Sequence, residues 1–206
     1  IMIENINLTD LENNQDLNKY FLTAKLENIN QSCTYYKGTF YLDSFNYYPI
    51  TEDFKSFDEL FVRVNKNSIA HYHTEAFYKK IKEKLNKIKV FKNCCVIGSN
   101  PGNNYFSNLI HFLPRIFFEN ENKIKIAVHR NLSNKFRSFM ESLFALKNVN
   151  LTYAYLDDDF YKFENSKIPQ FLNTLSAINV LKSIIDILPK KKSDFEKIYI
   201  RRENAN

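Results

Sequence analysis

A short apolar run, a polar turn and an amphipathic stretch follow one another across residues 94–118, and this succession constrains the fold more than any other feature. Cys94-Cys95-Val96-Ile97 reads as a short buried strand. Gly98 to Asn104 follows, a run of glycine, proline and small polar residues that punctuates the chain. Tyr105, Phe106, Leu109, Phe112, Leu113 and Ile116 then recur at helical spacing. Strand, polar turn and helix together form the unit that brings loop residues and a helix N-terminus to a ligand site in α/β proteins. The residues of this unit are therefore the first candidates for chemistry.

From residue 90 onward the pattern repeats. Strands are predicted over 90–97, 124–128, 149–155 and 198–200, and helices over 104–118, 133–146 (capped by Ser133) and 175–188. Such alternation predicts a parallel sheet covered on both faces. The first 89 residues read differently. A short helix is expected over 10–26 and short antiparallel strands over 33–48, with turns at Gly38 and Asp43-Ser44. The tyrosines of the latter stretch suit either sugar or base stacking or one plain face of a sheet. Another strand is expected over 59–64. Thr74 caps a helix to residue 89 whose stripe of Phe77, Ile81, Leu85 and Ile88 faces a sheet. Its lysines are solvated or lie on a membrane surface. The domain reading is a β-rich and helical segment over 1–89 followed by an α/β domain over 90–206.

At 44% hydrophobic residues the chain can build a core, and it has no apolar run of membrane-spanning length. A basic-then-apolar leader is not seen at its start. Cys33, Cys94 and Cys95 fit neither a disulfide framework nor a zinc pattern, which points to a reducing cytoplasm. The net charge of +6 suits acidic partners or reflects an AT-rich coding sequence. His71 and His73 share a strand face, but two histidines do not make a metal site. Asp157, Asp158 and Asp159 are consecutive and cannot all face one point, so a solvated turn is expected there.

Two segments together resemble one family. NNYFSNLIHFLPRI, residues 103–116, is similar to the Asn-Tyr-Tyr-His-Trp-Leu…Leu-Pro-Arg segment of the family 61 glycosyltransferases, also called capsular polysaccharide biosynthesis proteins in bacteria. KIYIRRENAN, residues 197–206, is similar to a later strand of that family ending in Ser-Arg-Arg. The resemblance covers residues 90–206. It implies a Rossmann-like N-terminal half of a GT-B enzyme that transfers a sugar, with inversion, from a nucleotide-sugar donor to a glycan or lipid-linked saccharide acceptor. It further implies surface polysaccharide synthesis in the cytoplasm at the inner face of the membrane, with no metal and no other cofactor. Charge and aromatics alone suggest a nucleic-acid-binding domain, but no RNA-binding signature appears, so no nucleic-acid partner is expected. The family's His-Gly-Ala-Gly stretch and donor-binding half do not occur in these residues. The sequence is thus expected to be an N-terminal fragment, inactive alone. The alternative is a non-catalytic carbohydrate-binding or degenerate member of the same fold.

The resemblance also assigns residues. Ser107 stands where the family has His, and His111 where an acidic residue is frequent. An inverting transfer needs a base for the acceptor hydroxyl. Ser107 and His111 are the catalytic candidates, with His111 supplying the base from the neighbouring turn or packing structurally. Arg115 binds an acidic acceptor or pairs with a carboxylate such as Glu119. Arg202 matches the family arginine, and Arg201 stands where Ser is more usual; both suit a donor diphosphate, because guanidinium forks match phosphate oxygens. Asn103 and Asn104 orient sugar hydroxyls or serve the turn itself.

Overall fold

The computed structural model describes residues 4–6, 20–57, 60, 74–98 and 104–189. Its strands are β1 (Glu4–Ile6), β2 (Phe21–Leu26), β3 (Gln31–Asp43), β4 (Tyr48–Thr51), β5 (Lys55–Phe57), β6 (Lys89–Lys92), β7 (Cys95–Val96), β8 (Lys123–His129), β9 (Asn150–Leu156) and β10 (Phe160–Pro169). Its helices are α1 (Glu75–Lys84), α2 (Tyr105 to Ile116, in three segments), α3 (Asn134–Ala145) and α4 (Thr174–Ile187). The fold is mixed α/β. The expected strand over 59–64 (Leu60 apart), the histidines at 71 and 73, and the strand over 198–200 lie outside the described residues.

An eight-stranded sheet runs β2-β3-β10-β7-β8-β9, with β4 on β3 and β6 on β10. β7, β8 and β9 are parallel to one another and to β10. β2, β3 and β4 are antiparallel additions. β1 and β5 form a separate parallel pair. Strands from both sides of residue 89 share the large sheet, since β3 pairs with β10 from Phe160↔Asp43 to Pro169↔Tyr35.

This sheet is folded over. β6 and β7 follow one another along the same side of β10, interrupted at Asn93, whose φ is 55. Beside it β10 shifts register between Phe163 and Ser166, with Asn165 at φ 44, and Ser166 faces Gly38 of β3. Asparagine tolerates this left-handed conformation better than most residues. The crease follows from the register. Leu156 ends β9 level with His129 of β8, whereas Phe160 starts β10 beyond the Lys89 end of β6. The short link between them spans roughly 14 Å at most. A flat sheet would hold those ends much further apart.

Side-chain alternation confirms the layers. In β3, Cys33 and Tyr35 join the core formed with α2, α3 and α4. Tyr36, Phe40 and Leu42, on the opposite face, lie in a second core with Val96, Ala127, Ala154, Leu156, Tyr161 and Phe163. Tyr41, beyond the crease, packs with Ile50, Phe160 and the α1 residues Phe77 and Ile81. The order is therefore helices α2–α4, first leaf, second leaf, α1.

Three expectations are corrected. Helices do not cover both faces of the parallel strands, because β7–α2–β8–α3–β9 always steps in one direction. Right-handed crossovers then put every helix on the same side. Tyr20 lies in a turn and residues 21–26 are a strand, with the rest of the expected helix over 10–26 outside the described residues. β3 is one strand of 13 residues rather than several short ones; Gly38 marks its crease, while Asp43-Ser44 does begin a turn. Other expectations hold: Thr74 and Ser133 cap α1 and α3 by accepting from the Phe77 and Phe136 amides.

Candidate functional site

The carboxyl ends of β7, β8 and β9 meet the far end of the second leaf, and the β7–α2 unit contributes to this edge. A β-carbon on Gly98 would lie 2.2 Å from ring atoms of Tyr47, so only glycine fits. Tyr47 is buried and has φ 53. Burial pushes its phenol well above the ordinary range.

α2 begins at Asn104, whose Oδ1 accepts from the Ser107 amide at 3.0 Å. It is α-helical over Tyr105–Ser107, π-helical over Asn108–Phe112 and α-helical again over Leu113–Ile116. The Leu113 amide reaches back to the Asn108 carbonyl. Pro114 follows at once, and a proline ring clashes with the carbonyl four residues back in a regular helix. The wider turn relieves that clash; π-turns of this kind recur at functional sites.

Arg115 is 1% exposed. Its Nε donates to the His111 carbonyl at 2.6 Å, and its two terminal nitrogens donate to the Pro169 carbonyl at 3.0 Å and the Gly98 carbonyl at 2.9 Å. The guanidinium lies 3.5 Å from the Phe171 ring centroid. Burial lowers its pKa to about 10. This arginine clamps α2 to the ends of β7 and β10. The sequence reading that gave it an acidic acceptor or Glu119 is corrected. Its donors face main-chain carbonyls, and Glu119 instead binds Lys167 at 2.5 Å.

Ser107 is buried at 6% exposure, and His111 is half-buried with its ring edge-on to Phe171 at 6.3 Å. Asn104 serves the cap. Asn103, Arg201 and Arg202 lie outside the described residues. The structure thus brings Arg115 and His111 together through the main chain, and gives Asn104 and Arg115 scaffold roles.

Sequence reasoning passed over His129, at the end of β8. The Asn131 amide donates to its Nδ1 at 3.1 Å. Nε2 therefore carries the proton and donates to Asp158 Oδ1 at 2.8 Å. The three consecutive aspartates point to three different partners, in keeping with the geometric argument from sequence. Asp157 binds Arg130 at 2.7 Å, Asp158 binds His129, and Asp159 binds Lys84 of α1 at 2.6 Å. The Arg130 and Lys84 hydrogen bonds hold the Asp157 and Asp159 carboxyls below the usual range. Ser44, fully buried, joins the β3–β4 turn to the β9–β10 turn through the Asp157 and Asp159 carbonyls. No signal in the sequence marked the histidine except its place at the end of an apolar strand.

Between these turns and α1 lies a cleft of about 410 Å³, lined by Asp43, Phe45, Asn46, Phe77, Lys80, Lys84, Asp158 and Asp159 among others. Phe45 is 54% exposed. Among the described residues no group of three histidine, cysteine or carboxylate side chains is placed to hold a metal ion. No described helix is long and apolar enough to cross a membrane. The chain matches no protein-family model, no curated protein and no solved structure.

Proposed function

We propose that this chain is the acceptor-binding part of an inverting glycosyltransferase that uses a nucleotide-sugar donor, and that the cleft beside α1 holds the acceptor saccharide. One observation carries the reading. The cleft combines the exposed ring of Phe45 with Phe77, Asn46 and the carboxylates of Asp43 and Asp158. Aromatic rings cover the apolar C–H face of a sugar, while carboxylates and amides bond its hydroxyls. Asp158 takes the role of base that the sequence reading gave to Ser107 and His111. His129 fixes one carboxylate oxygen, and Asp158 lines the cleft. The resemblance supports placing Asn103, Arg201 and Arg202 toward the donor in a GT-B arrangement at the cytoplasmic face of a membrane.

The test is titration of neutral oligosaccharides into the 15N-labelled chain. Saturable amide shifts confined to the β3–β4 and β9–β10 turns, lost in Phe45→Ala, are expected. Absence of shifts at saturating sugar, or shifts elsewhere, would sink the proposal. A non-catalytic saccharide-binding role is the second reading, favoured by the burial of Ser107 and the scaffold role of Arg115. Asp158→Asn separates the two in a protein carrying both halves: transfer falls at least about a hundredfold if Asp158 is the base, and binding alone persists otherwise.

A further inference from the structure

The opposite edge of the first leaf carries another concave surface. A groove of about 670 Å³ runs beside the crease and along the amino ends of β7, β8 and β9, lined by Lys37, Lys92, Lys123, Lys125 and Lys167 with Glu121 as the lone carboxylate. Lys92 is matched by Glu164, and Lys167 by Glu119 and Glu121. Lys37, Lys123 and Lys125 have no ion-pair partner among the described residues.

Local structure explains the excess. β8 reads Lys123-Ile124-Lys125-Ile126-Ala127, so its isoleucines enter the helix-side core while both lysines share the other face. The second leaf covers that face at Ala127 and Ala154 but leaves the lysines exposed. Residues two apart on a strand stand about 7 Å from one another. Two like charges at that spacing, with Lys37 across the groove, repel unless an anion lies between them. Asn93 and Asn165, paired through their amides at 2.6 Å, form the adjoining wall.

We propose that this groove binds a small molecule through a diphosphate group. Its volume and concavity suit a small ligand rather than a polymer lying on a flat surface. Three unmatched lysines on flexible stems supply charge without the fixed fork of arginine, so they select for concentrated negative charge over a single orientation. The site lies on the edge opposite the saccharide cleft and does not rest on that reading.

The experiment is calorimetric titration of inorganic pyrophosphate into the chain at low and high salt. Saturable binding is expected at low salt, weakening as salt rises. Lys123→Gln/Lys125→Gln should weaken it at least about tenfold and Lys37→Gln several-fold, whereas Lys80→Gln in the saccharide cleft should leave it within about twofold. Circular dichroism melts of each variant establish that the fold is retained. No saturable binding at low salt, or a Lys123→Gln/Lys125→Gln variant that binds normally, would overturn the proposal. So would binding to phosphatidylglycerol vesicles or a single-stranded oligonucleotide that excess pyrophosphate fails to displace, because the surface would then serve a membrane or a nucleic acid.

Discussion

The two edges of the first leaf treat charge in opposite ways. At the carboxyl edge most polar groups are held by a specific partner: Arg130 by Asp157, the neutral His129 ring by Asp158, Lys84 by Asp159, and Arg115 by three carbonyls. At the amino edge lysines outnumber carboxylates and three stand unmatched. Exposed pairs contribute little to stability, commonly under about 1 kcal/mol each. The matched pairs therefore matter through geometry, since they fix the turns that frame the cleft. Buried Arg115 is the exception, because its removal would strand polar groups away from water.

Breaking the carboxyl edge at Arg115 gives the largest expected effect. Arg115→Met should cost about 3 kcal/mol or more in chemical denaturation, as buried carbonyls lose their donors. Arg115→Lys should recover only part, lacking the fork. A cost below about 1 kcal/mol would mean the clamp is dispensable. Gly98→Ala comes next, at about 1–3 kcal/mol, by driving a methyl into the Tyr47 ring. A double-mutant cycle with Tyr47→Ala should show strong coupling between the two positions, and additive costs would contradict the contact.

Acid gives the smallest effect. The folded Asp157 and Asp159 carboxyls lie below the ordinary aspartate value of 3.8, so their contribution is present above that pH and is lost as pH falls through their depressed values. Thermal melts should show an acid decline that shrinks in Asp157→Asn/Asp159→Asn. An unchanged decline would assign it to other carboxylates.

The helical half was legible because its signals are local. Ser133 before an apolar stripe announced α3, and the apolar runs of β8 and β9 announced themselves. β10 was missed because Phe160, Tyr161 and Phe163 are interleaved with Lys162, Glu164 and Asn165, and its two leaves place different faces inward. Phe21 to Leu26 is short and mixed, and only pairing with β3 makes it a strand. The LPR segment was legible as a feature, yet its role was not. Whether an arginine meets a ligand or three carbonyls depends on where Gly98 and Pro169 come to rest. The groove was equally hidden, since Lys37, Lys92 and Lys167 are far in sequence from Lys123 and Lys125 and only the folded sheet brings all five to one groove.

That crease has a consequence for synthesis. β3 belongs to both leaves, and its main partner β10 leaves the ribosome about 120 to 130 residues later. At about 5–20 residues per second, this aromatic strand waits on the order of ten seconds with only β2 and β4 to pair with. Neither leaf can close until β10 arrives, so the nascent chain should remain protease-sensitive until then and become resistant in a single late step.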